Sequence, residues 1–157
     1  MITSQASVET PIGFVNLVAV GDEVVSVTIS GFAVPEVDGS PVLEKAKAQL
    51  VAYFAGESQA LNFAVSADGT EFQRAVWAEI AKLGFGQSAT YADIAAAIGR
   101  PKAVRAVGGA VGANPVPLVI GCHRVLGANG RITGYSGGEG LPTKRWLLVH
   151  EGIPVVE

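Results

Sequence analysis

The amino-acid sequence predicts an α/β (α+β) protein in which a small sheet with one helix precedes a mainly helical region. Alternating apolar residues over 14–20 and 24–30, on either side of Gly21-Asp22-Glu23, are typical of an antiparallel hairpin. Beyond residue 70, apolar residues recur at helical spacing instead. Hydrophobic residues make up 49% of the 157 residues and charged residues only 16%, which excludes a disordered chain.

After the hairpin, the sequence predicts one helix and one further strand. Ser40 is a suitable N-cap and Pro41 a suitable first residue for a helix that ends before Gly56. Its apolar positions recur at helical spacing: Leu43, Ala46, Leu50 and Phe54. A short strand is expected over 60–65. The polar segment 66–69 is the best candidate for a boundary, so we expect domains over 1–66 and 70–157.

The second part of the chain begins with a capped helix. Thr70 and Gln73 form a capping-box pair, and Gly84 is a suitable stop after Leu83. The apolar residues between them have helical spacing, so this helix is expected to have a structural role.

Two shorter helices are predicted next. Thr90 caps a helix over 91–98, and after Gly99-Arg100 a second helix is expected over 101–111, with proline as its first residue. Two short helices joined by a glycine-containing turn predict a helix-turn-helix at about residues 90–112.

The second of these helices contains Lys102 and Arg105 but otherwise mostly Ala, Val and Gly. A face of small residues either packs against another helix, which is the commoner case, or enters a nucleic-acid groove. Charge favours the groove. Residues 1–71 contain two lysines and nine acidic residues, a net charge of −7, whereas residues 72–157 contain nine basic and five acidic residues, a net charge of +4. Chance segregation of charge is the alternative.

Several classes of protein are disfavoured by composition. With one cysteine, Cys122, and two histidines, the chain forms no internal disulfide, and a structural zinc site is improbable, so we expect no metal and no cofactor. Apolar runs are too short for a membrane span, and the N-terminal residues lack the pattern of a signal peptide. We therefore expect a cytoplasmic protein with no membrane partner.

The single cysteine follows a rigid bend, Asn114-Pro115-Val116-Pro117, and a short strand expected over 118–120. Only a few per cent of a free cysteine is thiolate at neutral pH, so a nucleophilic role needs a nearby base or positive charge. His123 and Arg124 could supply these. On an extended strand, however, Cys122 and His123 would point to opposite faces and would meet only through a bend or a bridging water. The alternative is that Cys122 is a small buried apolar residue.

The segments RAVGGAVGANPVPLVIGCHRV, GYSGG and RWLLVHEG resemble the C-terminal domain of the O6-alkylguanine-DNA alkyltransferases, the methylated-DNA-protein cysteine methyltransferases. The resemblance extends from Phe72 to Gly152, and in outline it implies a ribonuclease-H-like sheet before that domain. It implies repair of duplex DNA containing O6-alkylguanine by a monomer that flips the base and transfers one alkyl group to itself.

The resemblance also implies catalytic residues. Cys122 would accept the alkyl group, His123 would activate it through a water, and Glu151 would orient His123. Asn114 would tie the recognition helix to the active-site strand, and Tyr91 would help rotate the nucleotide and donate a hydrogen bond to the base.

Arg105 matches the family's arginine finger, which replaces the flipped guanine in the duplex. Other DNA contacts are expected from Lys102, Ala106, Gly108, Tyr91 and Arg124. The walls and polar contacts of the guanine pocket are expected from Pro117, Val125, Tyr135 and Ser136.

One departure from the family pattern is Gly121, where relatives typically have proline before the cysteine. Glycine there is expected to leave the active-site strand less constrained. A second interpretation is therefore kept, a lesion-binding sensor of the alkyltransferase-like kind that transfers nothing, although such proteins lack the reactive cysteine. A plain helix-turn-helix regulator is disfavoured because the recognition helix has few side chains that read bases.

Overall fold

A three-stranded antiparallel sheet forms the first layer of the computed structural model, which describes residues 2–157. Strands β1 (Thr3–Thr10), β2 (Gly13–Val20) and β3 (Glu23–Ser30) pair in chain order. The predicted hairpin is β2–β3 and is confirmed. Strand β1 was not predicted, since only Ala6 and Val8 break its polar run, yet both are buried on the face that packs on the core.

Helix α1 (Pro41–Phe54) covers the inner face of this sheet. The Ser40 hydroxyl accepts a hydrogen bond from the Leu43 N–H, so the predicted N-cap is confirmed. The predicted strand over 60–65 is wrong. The segment meets β3 at one residue, where Val65 bridges Val24, because its large apolar residue Phe63 turns into the core instead of extending a ladder.

Helix α2 (Glu71–Ala81) begins with the predicted capping box at Thr70 and Gln73. It ends before Leu83, since the backbone leaves the helix at its cap, Lys82. The indole N–H of Trp77 donates to the Ala110 carbonyl at 2.8 Å, which joins α2 to a later helix.

Helices α3 (Tyr91–Ala97) and α4 (Val104–Gly112) follow, and Thr90 caps α3 through a second capping box. The second helix does not begin at Pro101. Residues 101–103 form a turn in which the Ala103 N–H donates to the Arg100 carbonyl, so α4 starts three residues later than predicted and Lys102 lies in the turn.

The chain from 113 to 140 has little regular structure. The predicted strand over 118–120 is wrong, because Leu118 has φ 77° and the backbone bends there. Residues Cys122–Arg124 form a 3₁₀ turn, followed by β5 (Val125–Leu126), which pairs in parallel with β4 (Ala89–Thr90). Helix α5 (Leu141–His150) closes the fold and ends at the cap residue Glu151.

The predicted α/β (α+β) class is confirmed, with five α-helices and a small antiparallel sheet within residues 2–157. The main apolar core extends from the sheet into the helices after residue 70, and the Val27 N–H donates to the Pro115 carbonyl at 2.9 Å. The domain boundary at 66–70 stays a prediction. Over residues 2–157, no helix combines the length and apolar character needed to cross a membrane.

Candidate active site

Cys122 lies at a cavity of about 310 Å³ between α3, α4 and the segment 134–136. This volume is at the low end of the range for small-molecule pockets, about 300–1,000 Å³. Cys122 is 5% exposed and lines this cavity, so it forms part of the cavity floor and not of the outer surface. The other lining residues are Tyr91, Gly108, Val111, Gly112, Gly134, Tyr135 and Ser136.

A smaller cavity of about 180 Å³ meets the same thiol from the side of the sheet. Asn114, Pro117 and Tyr135 line it together with residues of β3. The structure thus brings the predicted pocket residues Pro117, Tyr135 and Ser136 to Cys122. Val125 is the exception: it lines neither cavity and its side chain is buried in the core, so its part in the pocket stays a prediction.

The 3₁₀ turn replaces the extended strand that was expected at the cysteine, and it directs His123 into the interior. His123 is fully buried, and its Nε2 lies 2.7 Å from Glu151 Oε2. The other ring nitrogen, Nδ1, is buried and has no hydrogen-bond partner among residues 2–157. Since one nitrogen faces the carboxylate, the ionised Glu151 favours the tautomer with the proton on Nε2 and leaves Nδ1 as an acceptor.

The side chain of Glu151 is fully buried and surrounded by donors. The buried position by itself raises its pKa, but hydrogen bonds from His123 and Arg124 outweigh burial and hold the pKa well below the ordinary carboxyl value. Glu151 is therefore an anion at neutral pH.

Arg124 is part of this ion cluster and not of a DNA-binding surface. Its Nε and Nη2 donate to the two Glu151 oxygens at 2.8 and 2.9 Å, and Nη1 donates to the Leu83 carbonyl at 2.9 Å. The predicted DNA contact is wrong because the guanidinium is 7% exposed and its donors are directed inward.

Gly121 makes room for that guanidinium. A Cβ at this position would lie 2.7 Å from Arg124 Nη1 and 3.1 Å from Arg124 Cδ. The φ of −73° is open to any residue, so backbone freedom is not what requires glycine here. That glycine leaves this segment less constrained than proline would stays a prediction, and the structure adds that the glycine lies beneath the Arg124 side chain, which makes three hydrogen bonds.

Both the thiol and the imidazole are neutral in this environment. Burial raises the pKa of Cys122, although the Asn114 side chain, the Lys144 ammonium and Tyr135 oppose the shift. Burial also lowers the pKa of His123, against the opposing effect of Glu151. A neutral thiol beside a neutral imidazole is a pair that needs proton transfer before the sulfur becomes a nucleophile.

Asn114 connects the end of α4 to the segment before the cysteine. Its Nδ2 donates to the Ile120 carbonyl at 2.8 Å, and its Oδ1 accepts from the Val116 N–H at 3.0 Å. Tyr91 is the first residue of α3, and the Thr133 hydroxyl donates to its phenol oxygen at 3.4 Å.

Lys144 is a functional candidate that the sequence analysis missed. It is fully buried, and its Nζ donates to the carbonyls of Val125, Thr133 and Gly134 at 2.7, 3.0 and 3.4 Å. Burial lowers its pKa to about 8. A lysine in an amphipathic helix normally indicates solvent exposure, so the sequence carries no signal for this position.

The outer face of α4 is open. Arg105 and Ala106 are exposed, as is Lys102 in the preceding turn. A Cβ added at Gly108, Gly109 or Gly112 would have no neighbour within 4 Å. With Arg105, these glycines have the i, i+3, i+4, i+7 spacing of one helix face. The small residues therefore do not serve helix packing within the chain.

We predict that Glu151→Gln lowers the free energy of unfolding by about 3–5 kcal/mol, because it leaves the buried Arg124 charge unpaired. The loss is measured by urea denaturation at neutral pH. Glu57→Gln, which changes an exposed carboxylate, is the control and is expected to have little effect. Equal stability of the two variants would contradict the role of the ion cluster.

The pH dependence of stability follows from the pKa shifts of His123 and Glu151. The unfolded chain binds a proton at His123 below about pH 6.5 and at Glu151 below about pH 4.5, whereas the folded chain resists both. The contribution of these two groups to stability is thus complete above about pH 6.5 and falls as the pH is lowered, and in Glu151→Gln the part of this fall below about pH 4.5 is reduced.

Comparisons with known proteins agree with the geometry. The model of the 6-O-methylguanine DNA methyltransferase DNA-binding domain matches residues 71–153. The methylated-DNA–protein-cysteine methyltransferase of Methanosarcina acetivorans is 45% identical over 116 residues, which are 74% of this chain and 73% of that protein. The constitutive enzyme of that name from Bacillus subtilis is 47% identical over 118 residues, or 75% and 71% of the two chains.

Solved structures extend the likeness to the first part of the chain. The crystal structure of Mycobacterium tuberculosis O6-methylguanine methyltransferase has a TM-score of 0.79 and 34% identity, covering 96% of this chain and 93% of that one. The M. tuberculosis OGT structure in complex with DNA has a TM-score of 0.81 and 35% identity, covering 94% and 91%. The chain therefore belongs to the 6-O-methylguanine DNA methyltransferase family.

Proposed function

We propose that this protein repairs DNA by moving the alkyl group of O6-alkylguanine directly to Cys122, once per protein molecule. The observation that carries the proposal is that the only thiol lies on the floor of a cavity, with a buried His123–Glu151 pair behind it. Family membership and the DNA complex of the M. tuberculosis relative support DNA as the partner.

The proton of the thiol is the first obstacle to this reaction. His123 Nδ1, the buried ring nitrogen without a protein partner, is the acceptor, and a bridging water carries the proton to it from Cys122. The imidazolium that forms is stabilised by the Glu151 carboxylate 2.7 Å from its other nitrogen. In this way a thiol whose own pKa is raised by burial becomes a thiolate.

Alkyl transfer is then a displacement at carbon. The Cys122 sulfur forms a bond to the alkyl carbon as the bond from that carbon to guanine O6 breaks, and the electron pair remains on the guanine. Tyr91 lines the same cavity and is placed to donate a hydrogen bond to the departing ring. The product is a thioether, and since the chain has no second cysteine, no thiol exchange regenerates the sulfur.

A base stacked in a duplex cannot reach Cys122, so the nucleotide has to be flipped into the cavity at a cost of a few kcal/mol. We infer that α3 and α4 act as a helix-turn-helix, with the face of Arg105, Gly108, Gly109 and Gly112 against the duplex. The glycines permit close approach of the backbone, and Arg105 enters the stack in place of the guanine. Lys102 and Arg100, both exposed in the turn, hold phosphates without reading sequence.

The modified residue is the sharpest test of the reaction. After mixing with an oligonucleotide duplex containing O6-methylguanine, the peptide with Cys122 should gain one methyl group, measured by mass spectrometry. The Cys122→Ser variant should bind the duplex but gain no methyl group. Binding by the wild-type protein without methylation would favour the sensor interpretation instead.

The finger role of Arg105 predicts a difference between two substrates. Arg105→Ala should slow repair of the lesion in duplex DNA by about 10-fold or more, because no side chain then replaces the flipped guanine in the stack. The rate of reaction with free O6-benzylguanine should change little. Lys45→Ala removes one exposed positive charge from α1 and serves as the charge-matched control. Equal losses on both substrates would contradict the finger role.

The open face of α4 predicts that adding a side chain there changes stability and DNA affinity in opposite directions. Gly109→Ala should raise the free energy of unfolding by about 0.5–1 kcal/mol, because alanine favours the helix and its Cβ meets nothing in the protein. The same methyl group should weaken binding to duplex DNA. Gly39→Ala, also with open space around its Cβ, is the control for the binding measurement, and unchanged affinity in Gly109→Ala would contradict the proposed docking face.

A further inference from the structure

Helix α1 reaches the candidate active site through one side chain, Tyr53. The phenol is fully buried, and its hydroxyl donates to Glu151 Oε2 at 2.6 Å. That distance is typical of a strong O–H···O⁻ hydrogen bond to an ionised acceptor. The two residues are 98 positions apart, so the contact joins the first part of the chain directly to the residue that faces His123.

A count of the donors at Glu151 shows what this contact adds. Oε1 accepts from Arg124 Nε and from the Gly86 N–H, and Oε2 faces Arg124 Nη2, His123 Nε2 and the Tyr53 hydroxyl. A carboxylate offers about four lone-pair directions, so these donors saturate it. Tyr53 and His123 share one oxygen, and each therefore affects how strongly the other is held.

Tyr53 is itself held in place and cannot swing away from the carboxylate. Its backbone carbonyl lies 2.7 Å from His150 Nε2. Its ring packs edge-on against Phe54, Phe85 and His150, with centroid distances of 5.0, 6.0 and 4.9 Å. Burial together with the neighbouring Glu151 raises the pKa of Tyr53, so the phenol keeps its proton and remains a donor.

We propose that Tyr53 is a positioning residue for alkyl transfer, through which the sheet-and-helix part of the chain orients the Glu151–His123 pair behind Cys122. The role rests on the proposed function. The hydroxyl holds Glu151 at Oε2, and the carboxylate in turn fixes the plane of the imidazole and the direction of Nδ1. The first part of the chain is then a component of the active site and not only a scaffold beside it.

Removal of the hydroxyl has two expected consequences. Glu151 loses one of three donors at Oε2, so the imidazole is held less firmly and transfer slows by about 10-fold to 100-fold, as expected for a misplaced catalytic group. The carboxylate also has more negative charge available for the imidazolium, so His123 binds its proton at a higher pH. The acid limb of the pH–rate profile therefore moves to higher pH.

The other ionisable groups around the imidazole are unchanged by this substitution. They are Arg124 on the same turn and Lys144 from α5. A shift of the acid limb in a Tyr53 variant thus reports the loss of the phenol donor.

The test uses the full chain with Tyr53→Phe, which removes one oxygen and keeps the ring. Single-turnover transfer from free O6-benzylguanine is measured across pH, together with urea stability and affinity for duplex DNA. We expect slower transfer, an acid limb at higher pH and unchanged DNA affinity. Leu50→Val, which removes a buried methylene from the same helix, is the matched control and should lower stability without moving the pH profile.

A second readout does not depend on activity. The ¹⁵N shifts of the two histidine rings, followed from about pH 5 to about pH 8, report the proton on His123 directly. An unchanged His123 titration and an unchanged pH–rate profile in Tyr53→Phe would overturn the positioning role. Absence of transfer by the wild-type protein would overturn the proposed function, and with it the role of Tyr53 in transfer. A changed titration would still show that Tyr53 affects the protonation of His123.

Discussion

The buried carboxylate of Glu151 is the point at which four segments distant in sequence meet. Taking an anion out of water is costly unless charge and hydrogen bonds replace the solvent. Here the replacement comes from α1, from the loop before β4 and from the turn that contains the cysteine. The fold has to be complete before this charge is satisfied, so the geometry behind Cys122 is tied to the folding of the whole chain.

Helix α4 has one side that stabilises the fold and another side that we propose binds DNA. The inner side of α4 packs against α2 and α3, with Val107 and Ala110 buried. The outer side has glycines that no packing requires, and glycine within a helix is destabilising. Such a cost is typical of a surface that has to admit another molecule at close range.

Local patterns in the sequence predicted most of the fold. Capping residues such as Thr70 and Thr90, and the alternation of the β2–β3 hairpin, act over a few residues and are therefore visible in the sequence. The errors lie where long-range contacts decide. In the segment over 60–65 only Phe63 is buried in the core and only Val65 pairs with β3, and the start of α4 depends on a turn that a proline also permits.

In the candidate site, too, the sequence predicted the residues of local motifs but not the contacts between distant residues. The resemblance to the family drew attention to Cys122, His123 and Glu151. The structure pairs His123 with Glu151 and places Cys122, the residue before His123, at a cavity. The resemblance could not reveal that Arg124 faces inward, because the sequence around an arginine does not distinguish one that binds phosphate from one that binds a buried carboxylate. Tyr53 is 98 residues from its acceptor and carries no local signal at all.

Lys144 gives the irregular segment beside the cavity a support that a β-sheet would otherwise supply. A strand satisfies backbone carbonyls through the amides of its neighbour, one after another, and this imposes a register on both chains. One ammonium group that gathers three carbonyls imposes no register. The backbone at residues 133 and 134 is therefore held beside the cavity by a single side chain of α5, so the position of this cavity wall depends on a helix and not on a strand partner.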